Sequence, residues 1–137
     1  MKNGDLINDF VSRSKIRLKA IDTLYKNKGY ADVVRESQEV VELVSKALLR
    51  HLGDIPARVH DVSSQLREHL SKFNAADRKK LEKLIKISRD LRKDRELSFY
   101  GSEDLTPSDF YSKEDAELAI ESAEFAVKFV DKMTAKN

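Results

Sequence analysis

The chain has 137 residues, and 36% of them are charged. Its formal net charge is +2, and it contains no cysteine. This length indicates one domain over residues 1–137 that can bury a core of its own. The missing cysteine excludes disulfide bonds, thiolate metal sites and a cysteine nucleophile. The first ten residues contain no apolar signal segment and no stretch approaches the ~20 apolar residues of a membrane span, so we expect a cytoplasmic protein without membrane contact.

Two amphipathic helices are predicted in the first half of the chain. The first runs from Gly4 to Lys26 and ends at Gly29, and the second runs from Tyr30 to His51. The second is too long for an ordinary strand and is the most apolar segment, so we expect it at the centre of the fold. The apolar faces of the two helices are predicted to contain Ile7, Phe10, Val11, Ile16, Leu18, Ile21, Leu24, Tyr25, and then Val33, Val34, Ser37, Val40, Val41, Val44, Leu48 and Leu49.

The next two predicted helices differ in length. A short third helix covers Asp61–Phe73, with Asp61 as its N-cap. A fourth begins between Asn74 and Asp77 and runs to about Tyr100. Its apolar stripe (Leu81, Leu84, Ile85, Ser88 and Leu91) continues onto Arg92 and Arg95, at positions where core residues are expected.

A loop over Gly101–Tyr111 is predicted to separate the fourth helix from the last one. Ser112 and Asp115 have the spacing of a capping box, which indicates that the last helix begins there. Its alanines (Ala116, Ala119, Ala123 and Ala126) permit close approach of another helix. These elements predict an all-α fold, an antiparallel up-and-down bundle of four to five helices.

Charge is segregated between the last two long helices. Residues 72–95 contain ten basic and four acidic side chains, whereas residues 103–131 contain nine acidic and two basic ones. Such helices can pair within one bundle or across a dimer, or they can form a solvated surface. Because the total charge is close to neutral, nucleic-acid binding is not indicated.

Three stretches in this order and spacing resemble the HEPN family. They are residues 30–49 (YADVVRESQEVVELVSKALL), residues 55–62 (IPARVHDV), and residues 91–116, with Arg92, Arg95, Tyr100 and Pro107. The resemblance extends from about residue 5 to 132. It implies a bundle of four or five helices that often forms a homodimer and is proposed to bind nucleotides. In prokaryotes it also implies frequent pairing with a minimal nucleotidyltransferase in toxin–antitoxin modules.

One motif of the family's ribonucleases is missing from this sequence. Those members contain an arginine followed four to six residues later by a histidine, whereas His51, His60 and His69 have no such arginine. Ser98 stands where the later helix would place that histidine, and a hydroxyl cannot act as a general base near neutral pH as imidazole does. We therefore expect no ribonuclease activity by that mechanism.

The candidate nucleotide-binding residues fall into three groups. Arg92 and Arg95 are one turn apart and can grip phosphate while Tyr100 stacks on a base; alternatively, the arginines pair with acids and Tyr100 packs at a helix end. Arg58 and His60 adjoin a helix start that attracts anions, or Asp61 simply caps that helix.

The third group lies on the second helix. Arg35, Gln38, Glu42 and Lys46 follow a three-to-four spacing and can form one wall of a cleft, with Arg35, Glu42 and Lys46 as the candidate binding residues. Glu42 and Lys46 also have the i,i+4 spacing of an ordinary ion pair. No metal-ligand spacing, phosphate loop or cofactor motif is present in the sequence, so we expect no metal, no cofactor and no assigned catalytic residue.

Our leading hypothesis is a non-catalytic HEPN-type module that binds a nucleotide, a protein partner such as a minimal nucleotidyltransferase, or both. The alternative is an RNA-cleaving toxin that uses Arg92, Arg95 and Tyr100 without histidine, and a third possibility is a purely structural dimer. The alanine face of the last helix and the aromatic side chains Phe99, Tyr100, Phe110 and Tyr111 are candidate dimer surfaces, although both suit an ordinary core equally well.

Overall fold

The described chain is folded entirely into helices and their connections, which confirms the all-α prediction. The computed structural model describes residues 2–59 and 61–135, with the side chains of all of these except residues 93–99. Four long helices are α1 (Asn3–Lys26), α2 (Tyr30–His51), α4 (Ala75–Tyr100) and α6 (Lys113–Thr134), and the two short ones are α3 (Ser63–Arg67) and α5 (Pro107–Phe110). No helix in this part of the chain combines the length and apolar character needed to cross a membrane.

Helix α2 forms the centre of the bundle, as predicted. All eight residues predicted for its apolar face are buried, and α1, α4 and α6 pack around it. Ser37 and Ser45 are buried among the valines and leucines of this face. Because α2 is covered on several sides, its neighbours are held in place mainly by burial of its apolar side chains.

Contacts along their length show that α1 and α2 are antiparallel. The Asn3 side-chain amide, at the start of α1, donates to the Arg50 carbonyl near the end of α2 at 3.1 Å. Further along the same helices, Arg17 and Glu36 form an ion pair at 3.1 Å. In α4 and α6, the Lys83 ammonium lies 4.2 Å from the centre of the Phe125 ring.

The prediction for α1 was wrong at one position. Ile16 is 64% exposed, whereas Ser14 is buried on the core face. Residues two positions apart in the sequence are separated by about 200° around a helix, so Ile16 points to solvent when Ser14 points to the core. The Ser14 hydroxyl donates to the Phe10 carbonyl at 2.8 Å, which satisfies the polar group in this buried position.

The predicted helix over 61–73 is interrupted. It divides into α3 and a 3-10 turn over Leu70–Lys72, with backbone N–H groups bonding three residues back instead of four. The His69 ring lies 2.7 Å from the Asp54 carboxylate, which ties the tighter turn to the end of the preceding loop. The prediction of Asp61 as the N-cap was wrong by one position: the N-cap residue is Val62, and Asp61 just before it accepts a hydrogen bond from the Ser63 N–H.

The connection between α4 and α6 is short and closely fitted. Gly101 has a φ of +81°, and an added Cβ would lie 2.5 Å from the Leu105 carbonyl oxygen. The predicted loop contains the single turn α5, which Thr106 caps. The predicted capping box is confirmed: the Ser112 hydroxyl accepts from the Asp115 N–H, and the Asp115 carboxylate accepts from the Ser112 N–H. These bonds fix the residue at which α6 begins.

Candidate functional site

An open groove of about 510 Å³ lies between α4 on one side and α5 and α6 on the other. Both long helices pack on α2, and Val34 of α2 lines the groove between them. The remaining lining residues are Lys83, Lys86, Ile87, Asp90 and Leu91 from α4, and Phe110, Tyr111, Asp115, Leu118, Ala119 and Ser122 from the other side. A volume of this size is within the range of small-ligand sites, about 300–1,000 Å³.

The inner part of the groove is apolar and its mouth is aromatic and aliphatic. Ile87, Leu91 and Tyr111 are buried, whereas Phe110 is 41% exposed and Leu118 is 63% exposed. The rings of Phe110 and Tyr111 are tilted against each other, with their centres 5.2 Å apart. This arrangement offers a flat organic group an apolar surface at the edge of the site.

Two lysines line the α4 side of the groove. Lys83 is held over the Phe125 ring by a cation–π contact. Lys86 forms an i,i+4 ion pair with Asp90 at 3.0 Å, and both side chains are largely exposed. Because exposed ion pairs contribute about 0–1 kcal/mol, an incoming anion can replace Asp90 at little cost.

The groove therefore combines groups that suit a nucleotide. Lysine ammonium groups bind phosphate, and aromatic and aliphatic side chains pack against a base. The carboxylates of Asp90 and Asp115 can accept hydrogen bonds from amino or hydroxyl groups. The Asp115 carboxylate is oriented by its bonds to Ser112, at 2.8 Å to the N–H and 3.0 Å to the hydroxyl.

The structure places the predicted α2 residues elsewhere. Glu42 and Lys46 approach each other at 3.7 Å, which matches the ordinary pairing considered from the sequence. They line a separate cleft of about 280 Å³ between α1 and α2. The Arg35 guanidinium pairs with the Glu36 carboxylate at 2.9 Å. None of these three residues lines the α4–α6 groove.

The predicted arginines are also outside the groove. Arg92 is exposed, so the expectation that it occupies a core position was wrong; Leu91 takes that position, and Arg92 lies one residue further around the helix. Arg58 is exposed too, and neither arginine forms an ion pair with another described residue. Tyr100 is 74% exposed at the end of α4. His60 and the Arg95 side chain lie outside the described residues.

One hydrogen bond joins the segment that contains Arg58 to the segment that contains Arg92. The Ser88 hydroxyl donates to the Asp61 carboxylate at 3.2 Å, which joins the loop before α3 to α4. Arg92 follows Ser88 by one turn, and Arg58 precedes Asp61 by three residues.

Of the two candidate dimer surfaces, the alanine face of α6 is core. Ala116, Ala119, Ala123 and Ala126 are all buried in the chain's own bundle. In the aromatic segment, Tyr111 is buried while Tyr100 and Phe110 are exposed; the Phe99 side chain lies outside the described residues. Among the described residues of these two surfaces, Tyr100 and Phe110 are therefore accessible to a second copy.

Comparison with protein families identifies the family of the chain. The family model for the HEPN domain matches residues 7–133, which is nearly the whole chain. No curated protein and no solved structure shows significant similarity to it.

Proposed function

The chain belongs to the HEPN domain family, and from this membership we propose that it is a non-catalytic module that binds a nucleotide in the α4–α6 groove. The observation that carries the proposal is the position of Lys83 and Lys86 opposite Phe110 and Leu118 across one open site. In this arrangement the phosphates contact the lysines, and the base packs at the mouth formed by Phe110 and Leu118.

The non-catalytic part of the proposal is supported by the positions and neighbours of the histidines. The sequence contains no arginine followed four to six residues later by histidine. The ring of His69 is buried against Asp54, and neither His51 nor His69 lines the groove. Incubation with RNA tests this part: we expect intact RNA, and cleavage that disappears in Arg95→Ala would instead establish the RNA-cleaving toxin.

Binding is tested by thermal unfolding against nucleoside mono-, di- and triphosphates, with and without magnesium. We expect a selective rise in Tm that is lost in Lys86→Gln and retained in Lys79→Gln. Lys79 is the matched control because it is an exposed lysine of the same helix that does not line the groove. A flat response to all nucleotides would contradict the proposal.

A second candidate position for the nucleotide is the surface around Arg58 and Arg92. The observation that favours it is the Ser88–Asp61 hydrogen bond, which brings the segments of these exposed arginines together. In this version Arg92 and Arg95 bind phosphate and Tyr100 stacks on the base. Loss of the thermal shift in Arg92→Ala, but not in Lys86→Gln, would assign the site to these residues.

We further propose that the protein acts with protein partners: a second copy of itself and a minimal nucleotidyltransferase. The exposed apolar side chains of Phe110 and Leu118 support a contact surface at the groove mouth. Sedimentation of the purified protein, alone and mixed with a minimal nucleotidyltransferase, tests both contacts. A monomer that does not change its sedimentation in the mixture would refute them.

A further inference from the structure

The cleft between α1 and α2 contains charged side chains of both signs beside a small apolar surface. It measures about 280 Å³. We refer to it as the α1–α2 cleft, and its lining residues are Phe10, Arg13 and Arg17 from α1, and Glu39, Glu42, Leu43 and Lys46 from α2. None of these residues lines the α4–α6 groove, so the two sites are separate.

The two helices form opposite walls of the α1–α2 cleft. Their two contacts described above belong to one antiparallel register, which brings Phe10 and Leu43 to the same level of the bundle. Both side chains are half-buried and provide the apolar surface of the cleft. Arg13 and Arg17 are about one turn apart on the α1 wall, roughly 6 Å along the helix axis. The two carboxylates of the cleft belong to the α2 wall.

The guanidinium groups of the α1 wall can exchange their present partners for a ligand. Arg13 pairs with Asp9 at 3.8 Å, and the two side chains are 48% and 58% exposed. Exposed ion pairs of this kind add little stability, so an incoming carboxylate can replace Asp9. Arg17 pairs with Glu36 at 3.1 Å, and Glu36 also accepts from Arg35 at 2.9 Å. Glu36 therefore keeps a cationic partner when Arg17 turns to a ligand.

The carboxylates of the α2 wall provide the opposite charge. The Glu42 side chain is 12% exposed, and the Lys46 ammonium approaches it at 3.7 Å, which is longer than a hydrogen bond. A carboxylate has about four lone-pair positions, so Glu39 and Glu42 can accept from a ligand in addition to their contacts within the protein. These two carboxylates repel a phosphate group. The cleft therefore suits a ligand with both charges better than a nucleotide.

We propose that the α1–α2 cleft binds a free α-amino acid with an apolar side chain. The carboxylate of the ligand contacts the two guanidinium groups of α1, and its ammonium group donates to the two carboxylates of α2. Its side chain packs on Phe10 and Leu43. A volume of about 280 Å³ lies just below the roughly 300–1,000 Å³ of sites for larger organic ligands, which favours a ligand of this size. The inference does not depend on nucleotide binding, because the cleft and the groove share no lining residue.

The test titrates the purified protein with L-leucine by isothermal titration calorimetry. Two analogues keep one charge each: isocaproate has the carboxylate without the ammonium group, and isoamylamine has the ammonium group without the carboxylate. We expect leucine to bind, and each analogue to bind at least about tenfold more weakly, since each lacks one set of charge-assisted hydrogen bonds. Glycine has both charges without the side chain, and it should also bind more weakly than leucine.

Two single variants locate the site. Arg13→Gln should weaken the binding of leucine and leave that of isoamylamine unchanged, because the amine does not contact the guanidinium groups. Glu39→Gln should weaken the binding of leucine and leave that of isocaproate unchanged. The matched controls are Arg67→Gln and Glu68→Gln, at exposed positions that line neither the cleft nor the groove. Both controls should bind leucine as the wild-type protein does.

Three results would overturn the proposal. They are the absence of leucine binding, an affinity for either analogue equal to that for leucine, and an equal loss of leucine binding in a variant and its control. The thermal shift produced by a nucleotide should be the same in Arg13→Gln as in the wild-type protein. Failure of the groove and failure of the cleft therefore give different results.

Discussion

Replacing Ser122 with tryptophan is expected to close the groove without unfolding the protein. Ser122 is half-buried on α6 and lines the groove opposite Lys86 and Ile87. A buried tryptophan covers roughly 150–250 Å², and an open groove would cover about half of that. At about 25 cal/mol per Å², the indole gains roughly 2 kcal/mol from burial, which offsets the cost of ordering it. The free energy of unfolding should therefore not decrease.

Ser122→Trp should also bind the nucleotide much more weakly than the wild-type protein does. A nucleotide at 100 times its Kd stabilises the wild-type protein by about 2.7 kcal/mol. For 137 residues, an unfolding entropy of about 0.29 kcal/mol per kelvin converts this into a Tm rise of about 9 °C. If tryptophan weakens binding about a hundredfold, the same ligand concentration adds only about 0.4 kcal/mol, or about 1.4 °C.

The assay is differential scanning fluorimetry or calorimetry with and without the nucleotide. Ser12→Trp is the matched control, since Ser12 is exposed on α1 and does not line the groove. It should retain the full shift. A folded Ser122→Trp protein that also retained the full shift would refute the placement of the nucleotide in this groove.

Three further changes test the fold and the assembly. Gly101→Ala should lower the unfolding free energy by at least about 1 kcal/mol in urea titrations, because the positive φ and the close carbonyl exclude a Cβ; an unchanged midpoint would contradict this. The hydrogen bond from His69, with smaller contributions from other donors, lowers the pKa of Asp54 from its ordinary 3.8. This carboxylate therefore stabilises the fold above pH 3.8, and the contribution is lost as the pH falls through the lowered pKa. Asp54→Asn should thus lower the free energy of unfolding less at pH 3 than at pH 7 in urea titrations. A difference between variant and wild type that stays the same across this pH range would exclude the linkage. Leu118→Glu should dissociate a homodimer in sedimentation experiments while Ile16→Glu, at an equally exposed position, leaves it intact; equal behaviour of the two variants would place the contact elsewhere.

The helices could be predicted because their signals are local. The apolar face of α2 follows from the spacing of its valines and leucines, and the capping box at Ser112 and Asp115 follows from residues three apart. The break in the third helix could not be predicted in this way. It coincides with a contact between His69 and Asp54, which are 15 residues apart in the sequence.

The groove was missed because its walls come from separate helices. Lys83 and Lys86 are two of many lysines in α4, and nothing local distinguishes them from solvated side chains. Leu118 did give a signal: it lies out of phase with the alanine stripe of α6, so an apolar side chain had to point away from the core. The sequence drew attention to Arg92 because it follows an apolar stripe, but a helix places adjacent residues about 100° apart, and Leu91 occupies the core position.

The central claim, that a nucleotide binds between α4 and α6, is tested most directly by mapping amide chemical-shift changes in ¹⁵N-labelled protein during a nucleotide titration. Our interpretation predicts that the largest changes occur at Lys83, Lys86, Ile87, Leu118 and Ala119, and that they saturate together. Changes concentrated at Arg58, Arg92 and Tyr100, or no changes at all, would contradict it.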